Sequence, residues 1–122
     1  MLRAWKPMTR CNRGDVVLVV FPNSDGRTYT KRPALVVQAD DLNTGYPQKL
    51  VALITSNLKK TGRTRLTVLS DSDSGRKMGL RSDSVIVADN IATVQEREMD
   101  KVIGNCAEME TVDQALRITL AL

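Results

Sequence analysis

Thr30-Lys31-Arg32-Pro33-Ala34-Leu35-Val36-Val37 sets two cations directly before a proline, and that proline opens an apolar run. Pro33 drives Arg32 toward extended geometry and is itself tolerated at the first residue of a strand. Arg32 is therefore expected at a strand mouth, beside a polar loop, with little backbone freedom. A guanidinium there offers a planar fork of donors suited to the oxygens of a phosphate, which a lysine would not reproduce. Thr55-Ser56-Asn57 closes another apolar run with two hydroxyls and an amide. Such groups usually satisfy backbone in a turn, yet they can also hold an oxyanion. Asp89-Asn90 suits either a turn or a functional carboxylate–carboxamide pair. Lys59, Lys60, Arg63 and Arg65 cluster around Thr61, Gly62 and Thr64, as a solvated loop or as a flexible cationic arm that neutralises phosphates.

Other chemistries are excluded by composition. The chain has no histidine, which removes histidine acid–base pairs, histidine-activated nucleophiles and most zinc sites. Cys11 and Cys106 form no close-spaced metal or redox motif, and two separate reduced thiols are expected. Asp71-Ser72-Asp73-Ser74-Gly75 resembles a calcium loop only superficially. Its glycine comes one position early and Ser82 stands where a bidentate glutamate should be, so a solvated turn is expected and no metal.

The 122 residues suit one domain with a real core, the first twelve forming a flexible N-terminal extension. A net charge of +4 is compatible with a nucleic-acid partner without requiring one. Aromatic residues make up only 3%, which argues against modules that stack several bases on aromatic rings. The opening residues lack the apolar centre of a secretion signal, and no segment approaches the length of a membrane span. A soluble, cytoplasmic protein is expected, without membrane association.

The elements that must carry these groups are short. Val16–Phe21 reads as a strand buried on both faces, and Ala34–Val37, Leu50–Ile54, Leu66–Leu69 and Ser84–Ala88 as four more. Met109, Val112, Leu116 and Leu120 recur at helical spacing, predicting an amphipathic C-terminal helix that starts near Glu108 or Thr111. A shorter helix or turn is expected in Glu96–Val102. The fold class is β-rich α+β, a small twisted sheet or barrel with a C-terminal helix.

In order along the chain stand Gly14-Asp15-Val16-Val17-Leu18-Val19, Arg32-Pro33-Ala34-Leu35-Val36-Val37 and Ile54-Thr55-Ser56-Asn57. Gly79-Leu80, Asp83-Ser84-Val85-Ile86, Asp89-Asn90-Ile91, Thr93-Val94 and Ile103-Gly104 follow, before the helix Val112–Leu122. This string resembles the MazF/PemK family, the toxins of type II toxin–antitoxin pairs, from about Arg13 to Leu122. The resemblance implies an SH3-like barrel, a homodimer, and metal-independent, cofactor-free cleavage of single-stranded RNA by 2′-OH attack. It also implies restraint by an acidic antitoxin.

On that resemblance Arg32 matches the family arginine and Thr55 the family threonine, with Ser56 beside it. Arg27, Lys31, Asn57, Lys59, Lys60, Arg63 and Asn90 are the candidate RNA contacts. The chain also departs from the pattern. Asp25 stands in the loop where many relatives carry a glutamate, as a candidate base, with Arg27 close by. Asp89 is kept, but Ala92 replaces an arginine, and Val87 stands where some relatives have a catalytic one. These departures motivate an alternative, a degenerate relative that binds RNA or protein without cutting. An unrelated SH3-like interaction module is a third reading.

Overall fold

Asp15–Pro22 forms β1, and Val16, Val17 and Val19 within it are all buried, as an uninterrupted apolar run requires. The computed structural model describes residues 10–122. Tyr29–Val36 is β2, Gln48–Thr55 β3, Arg65–Val68 β4, Ser84–Gln95 β5 and Met99–Asn105 β6. They form one antiparallel sheet in the order β4-β5-β3-β2-β1-β6. Among the described residues the helices are α1 (Asp73–Lys77) and α2 (Met109–Leu120), and a 3-10 turn occupies Glu96–Glu98.

Each face of the sheet carries its own core. Val16, Leu35, Ala52, Ile54, Val68, Met78, Leu80, Ile86 and Val112 pack on one side, with α2 covering them through Met109, Val112 and Leu116. On the other lie Cys11, Val17, Val19, Ala34, Val36, Val51, Val94 and Met99. Alternation along β1, β2 and β3 assigns successive residues to the two cores, as a pleated strand must.

β5 departs from that alternation. Leu53 is opposite Val87 while the adjacent Ala52 is opposite Ile91, so Ala88, Asp89 and Asn90 have no partner on β3. An odd number of extra residues exchanges the two faces of a strand. Ile86 accordingly lies in the first core, whereas Ala92 and Val94 lie with the second.

Four of the five expected strands and the C-terminal helix lie close to where they were read, and β5 runs seven residues further because Asp89-Asn90 makes a bulge instead of ending the strand. β2 starts at Tyr29, five residues before the expected Ala34, because pairing with β1 continues past Pro33, so Arg32 lies inside the strand and not at its mouth. Only Glu96–Glu98 of the second expected helix is helical. The segment after it is β6, whose Lys101 and Gly104 break the apolar pattern of a strand. Asp73–Lys77 is a helix where a turn was expected, capped by the Ser72 hydroxyl accepting from the Gly75 N–H at 3.0 Å. In α2, Val112 and Ala115 are buried and Leu120 is exposed, so the apolar stripe ends a turn early.

β6 reaches α1 at very close range. A Cβ on Gly104 would meet the Lys77 carbonyl oxygen at 2.2 Å, and one on Gly79, whose φ is +71°, the Ile103 carbonyl oxygen at 2.2 Å. Most of the expected N-terminal extension lies outside the described residues. Within its described part Cys11 is buried against Met99, sulfur to sulfur at 3.7 Å. Both cysteines are free thiols, and burial pushes both above the ordinary thiol range. Among the described residues no helix is long and apolar enough to cross a membrane.

Candidate functional site

β2 and β3 are paired from Val36↔Val51 to Ala34↔Leu53, and the ladder stops there. Two residues further along the same register, Arg32 faces Thr55. Both side chains project on the face of the second core, because Ala34 and Leu53 do. The strands part at this point and open a cavity of about 360 Å³, lined by Phe21, Arg32, Pro33, Leu53, Ile54, Thr55, Lys60, Val87 and Asn90. Four polar side chains from four different segments thus converge: Arg32 from β2, Thr55 from β3, Lys60 from the β3–β4 loop and Asn90 from the bulge of β5. Phe21, Leu53 and Val87 supply an apolar floor.

Arg32 is exposed, and while its backbone pairs with Val19 of β1, its guanidinium makes no hydrogen bond or ion pair among the described residues. Its donors are available to an anion. The Thr55 hydroxyl accepts from the Asn57 N–H at 3.1 Å, the bland role expected at a strand end, and retains its hydrogen to donate. Asn57 caps the same turn, its side-chain oxygen accepting from the Lys59 N–H at 3.1 Å. Ser56, Asn57, Lys59 and Arg63 are exposed but do not line the cavity.

The structure gives other expected residues different work. Asp25 sits in the β1–β2 hairpin, accepting from the Arg27 N–H at 2.8 Å, the Thr28 N–H at 3.0 Å and the Thr28 hydroxyl at 2.8 Å. The Thr28 and Arg27 amides hold its carboxyl below the usual range, the reverse of what a base poised near neutrality needs. Asp25 and Arg27 build the turn and do not line the cavity. Lys31 points to the opposite face from Arg32 and pairs with Asp100 at 3.1 Å. It lines a separate cavity with Leu18, Arg81 and Lys101.

Asp89 is likewise engaged. Arg65 grips it with two bonds, Nε to Oδ1 at 3.1 Å and Nη2 to Oδ2 at 2.9 Å, and the Thr64 hydroxyl donates to Oδ1 at 3.2 Å. The Arg65 hydrogen bond holds the Asp89 carboxyl below the usual range, and Asp89 in turn raises the guanidinium. Sequence reasoning grouped Arg65 with the cationic loop; the register of β4 beside β5, Arg65↔Val87, is what directs it to Asp89 instead. Phe21 was also missed as part of the site. Its position at the end of β1, opposite Thr30 and two residues beyond Val19↔Arg32, is the signal that places it there.

Residues 12–120 match the family described as the PemK-like, MazF-like toxin of type II toxin–antitoxin systems. Over 113 residues the chain is 34% identical to the endoribonuclease EndoA of Bacillus subtilis (strain 168), covering 90% of this chain and 94% of that one. Its fold is similar to that of a mycobacterial endoribonuclease solved in complex with its cognate antitoxin. That match has a TM-score of 0.68 at 23% identity, covering 93% of this chain and 97% of the other. MazE–MazF from Deinococcus radiodurans matches with a TM-score of 0.66 at 17% identity, over 91% and 93% of the two chains.

Proposed function

We propose that this chain, which belongs to the PemK-like, MazF-like toxin family of type II toxin–antitoxin systems, is a sequence-selective endoribonuclease acting on single-stranded RNA. The observation that carries this reading is the convergence of Arg32, Thr55, Lys60 and Asn90 on one cavity with an apolar floor. An RNA chain presents to such a cavity phosphates for the cations, base edges for the carboxamide and a base face for Phe21.

The RNA supplies its own nucleophile. Its 2′-OH attacks the adjacent phosphorus and loses its proton to solvent, the bond to the 5′-oxygen breaks, that oxygen takes up a proton from solvent, and a 2′,3′-cyclic phosphate and a 5′-hydroxyl result. Charge builds on the non-bridging oxygens during attack, and donors aimed at that charge lower the barrier. Arg32 is the fork placed to meet it. Its planar fork of donors suits electrostatic stabilisation of that charge. Thr55 donates its hydroxyl hydrogen to orient the phosphate, while Lys60 neutralises a neighbouring one and Asn90 reads a base. The described lining holds no carboxylate, so charge stabilisation carries the reaction, and neither Asp25 nor Asp89 is assigned the base.

The active unit is a homodimer of single-domain chains acting in the cytoplasm, restrained by an acidic antitoxin that neutralises the same cations. Purified protein incubated with a varied RNA pool in EDTA should yield discrete fragments ending in 2′,3′-cyclic phosphate. An intact pool, or an Arg32→Ala protein that cuts as fast as the wild type, would overturn the nuclease reading. RNA bound in a salt-dependent way but left uncut would favour the non-cutting alternative, for which the absence of a lining carboxylate is the specific motive.

A further inference from the structure

We propose that Arg65 is a positioning residue that fixes two walls of the cavity at once, and thereby sets which RNA sequences the cavity accepts. The proposal rests on the nuclease reading and deepens it. Arg65 itself does not line the cavity. Its guanidinium grips both oxygens of Asp89 through Nε and Nη2, while Nη1 donates to the Thr61 carbonyl at 3.3 Å. Asp89 is the neighbour of Asn90 on the bulge, and Thr61 is the neighbour of Lys60 on the β3–β4 loop. One planar group thus ties together the two segments that deliver Asn90 and Lys60.

The bulge needs such a tie. Ala88, Asp89 and Asn90 have lost their partners on β3, while Ala88 and Asp89 bond on the β4 side to Thr64 and Arg65. The Ala88 N–H donates to the Thr64 carbonyl at 2.8 Å, and the Thr64 hydroxyl donates to Asp89 at 3.2 Å. The Arg65 and Asp89 side chains are only 31% and 34% exposed, so the pair is partly shielded from water. A lysine at 65 could meet one of these acceptors as a point charge but could not present three donors in a fixed fork.

A carboxamide reads a base through paired donor and acceptor edges, and that pairing survives only if the amide is held in place. Freeing the bulge should therefore relax base preference at one position of the cleaved sequence. Freeing the loop should weaken the phosphate contact of Lys60 at every sequence alike.

The test compares wild type, Arg65→Ala, Arg65→Lys, Thr64→Val and Asn90→Ala on a randomised single-stranded RNA pool. Fragment ends are sequenced, kcat and KM are measured on one preferred RNA, and Tm reports the folded state. Arg65→Ala should lose discrimination by about 5- to 150-fold at a single position, the range of one well-placed bidentate contact. Asn90→Ala should relax the same position, Arg65→Lys should not rescue it, and Thr64→Val should show a smaller relaxation. Combining Arg65→Ala with Asn90→Ala should relax that position no further than either change alone.

An Arg65→Ala protein that keeps the wild-type pattern would overturn the proposal. So would one whose activity falls equally at all sequences in step with its folded fraction. A wild type that binds RNA without cutting would refute the nuclease reading instead. The same comparison on the sequences recovered bound would then still decide the role of Arg65.

Discussion

Arg32 and Asp25 are both charged and exposed, and they differ in what surrounds them. The guanidinium has no partner among the described residues, whereas the carboxylate is filled with three donors from its own hairpin. Arg32→Ala should lower kcat by about 10²–10³, the cost of removing one preorganised donor, with little change in Tm. Arg32→Lys should recover only part of that loss, because the fork is gone. Asp25→Asn should leave the shape of the pH–rate profile between about pH 5 and 8 unchanged, since the native carboxyl is already ionised there. Its effect should appear in stability. Asp25 and Asp89 both have lowered native values, so the stability they add is full above the ordinary aspartate range and is lost as pH falls through the lowered values. Acid unfolding followed by circular dichroism, at low and high salt, should show Asp25→Asn and Asp89→Asn removing part of that acid-side slope. Thr55 was legible in the sequence because it ends β3; Arg32, expected at a strand mouth, lies inside β2 opposite Val19, because the β1–β2 hairpin carries the strand back through Pro33 to Tyr29. The engagements of Asp25 and Asp89 were not legible, because they depend on a hairpin closing and on a β4–β5 register that no local pattern encodes.

At the level of elements, one close contact and one cap fix how α1 starts and meets the sheet. Gly104 lets β6 pass against the Lys77 carbonyl, and Ser72 starts α1. Gly104→Ala should destabilise the protein by about 1–3 kcal/mol through overpacking, measured by urea unfolding. Ser72→Ala should cost about 1 kcal/mol, the usual loss of an N-cap hydroxyl. A larger loss for Ser72 than for Gly104 would show that the junction is not the tighter constraint. The strand reading succeeded where apolar runs are unbroken, as in β1 and β3. It stopped at β6, where Met99-Asp100-Lys101-Val102-Ile103-Gly104-Asn105 mixes charges with apolar residues because both edges of its pattern depend on tertiary contacts. It also ended β5 at Ala88, since Asp and Asn are ordinary stop signals and only the sheet context makes them a bulge.

For the whole molecule, the cavity lies at the rim of the second core, where β2 and β3 separate, and its cations face outward. RNA affinity should therefore fall with salt, with a slope of about −0.7 per phosphate neutralised. Arg32→Ala and Lys60→Ala should each reduce that slope by about 0.7, whereas Lys31→Ala should leave it nearly unchanged, since Lys31 lies on the other face against Asp100. Titrating binding against salt for the three variants separates the cavity from mere basic charge. A monomeric mass in solution at micromolar concentration would contradict the homodimer.

The bulge of β5 has a further consequence for how this fold can change by insertion and deletion. Its three unpaired residues act as a phase shift between two cores, and only their odd number puts Ile86 in one and Val94 in the other. Deleting Asn90 alone would move Ile91 and Thr93 to the face of the second core and Ala92 and Val94 to that of the first, and the chain should fail to fold. Deleting Asp89 and Asn90 together keeps the parity, leaves Ala88 as a one-residue bulge, and should give a folded protein without its base-reading wall. A loss of six nucleotides from the gene would then disarm the toxin while sparing its scaffold, where a loss of three would destroy both.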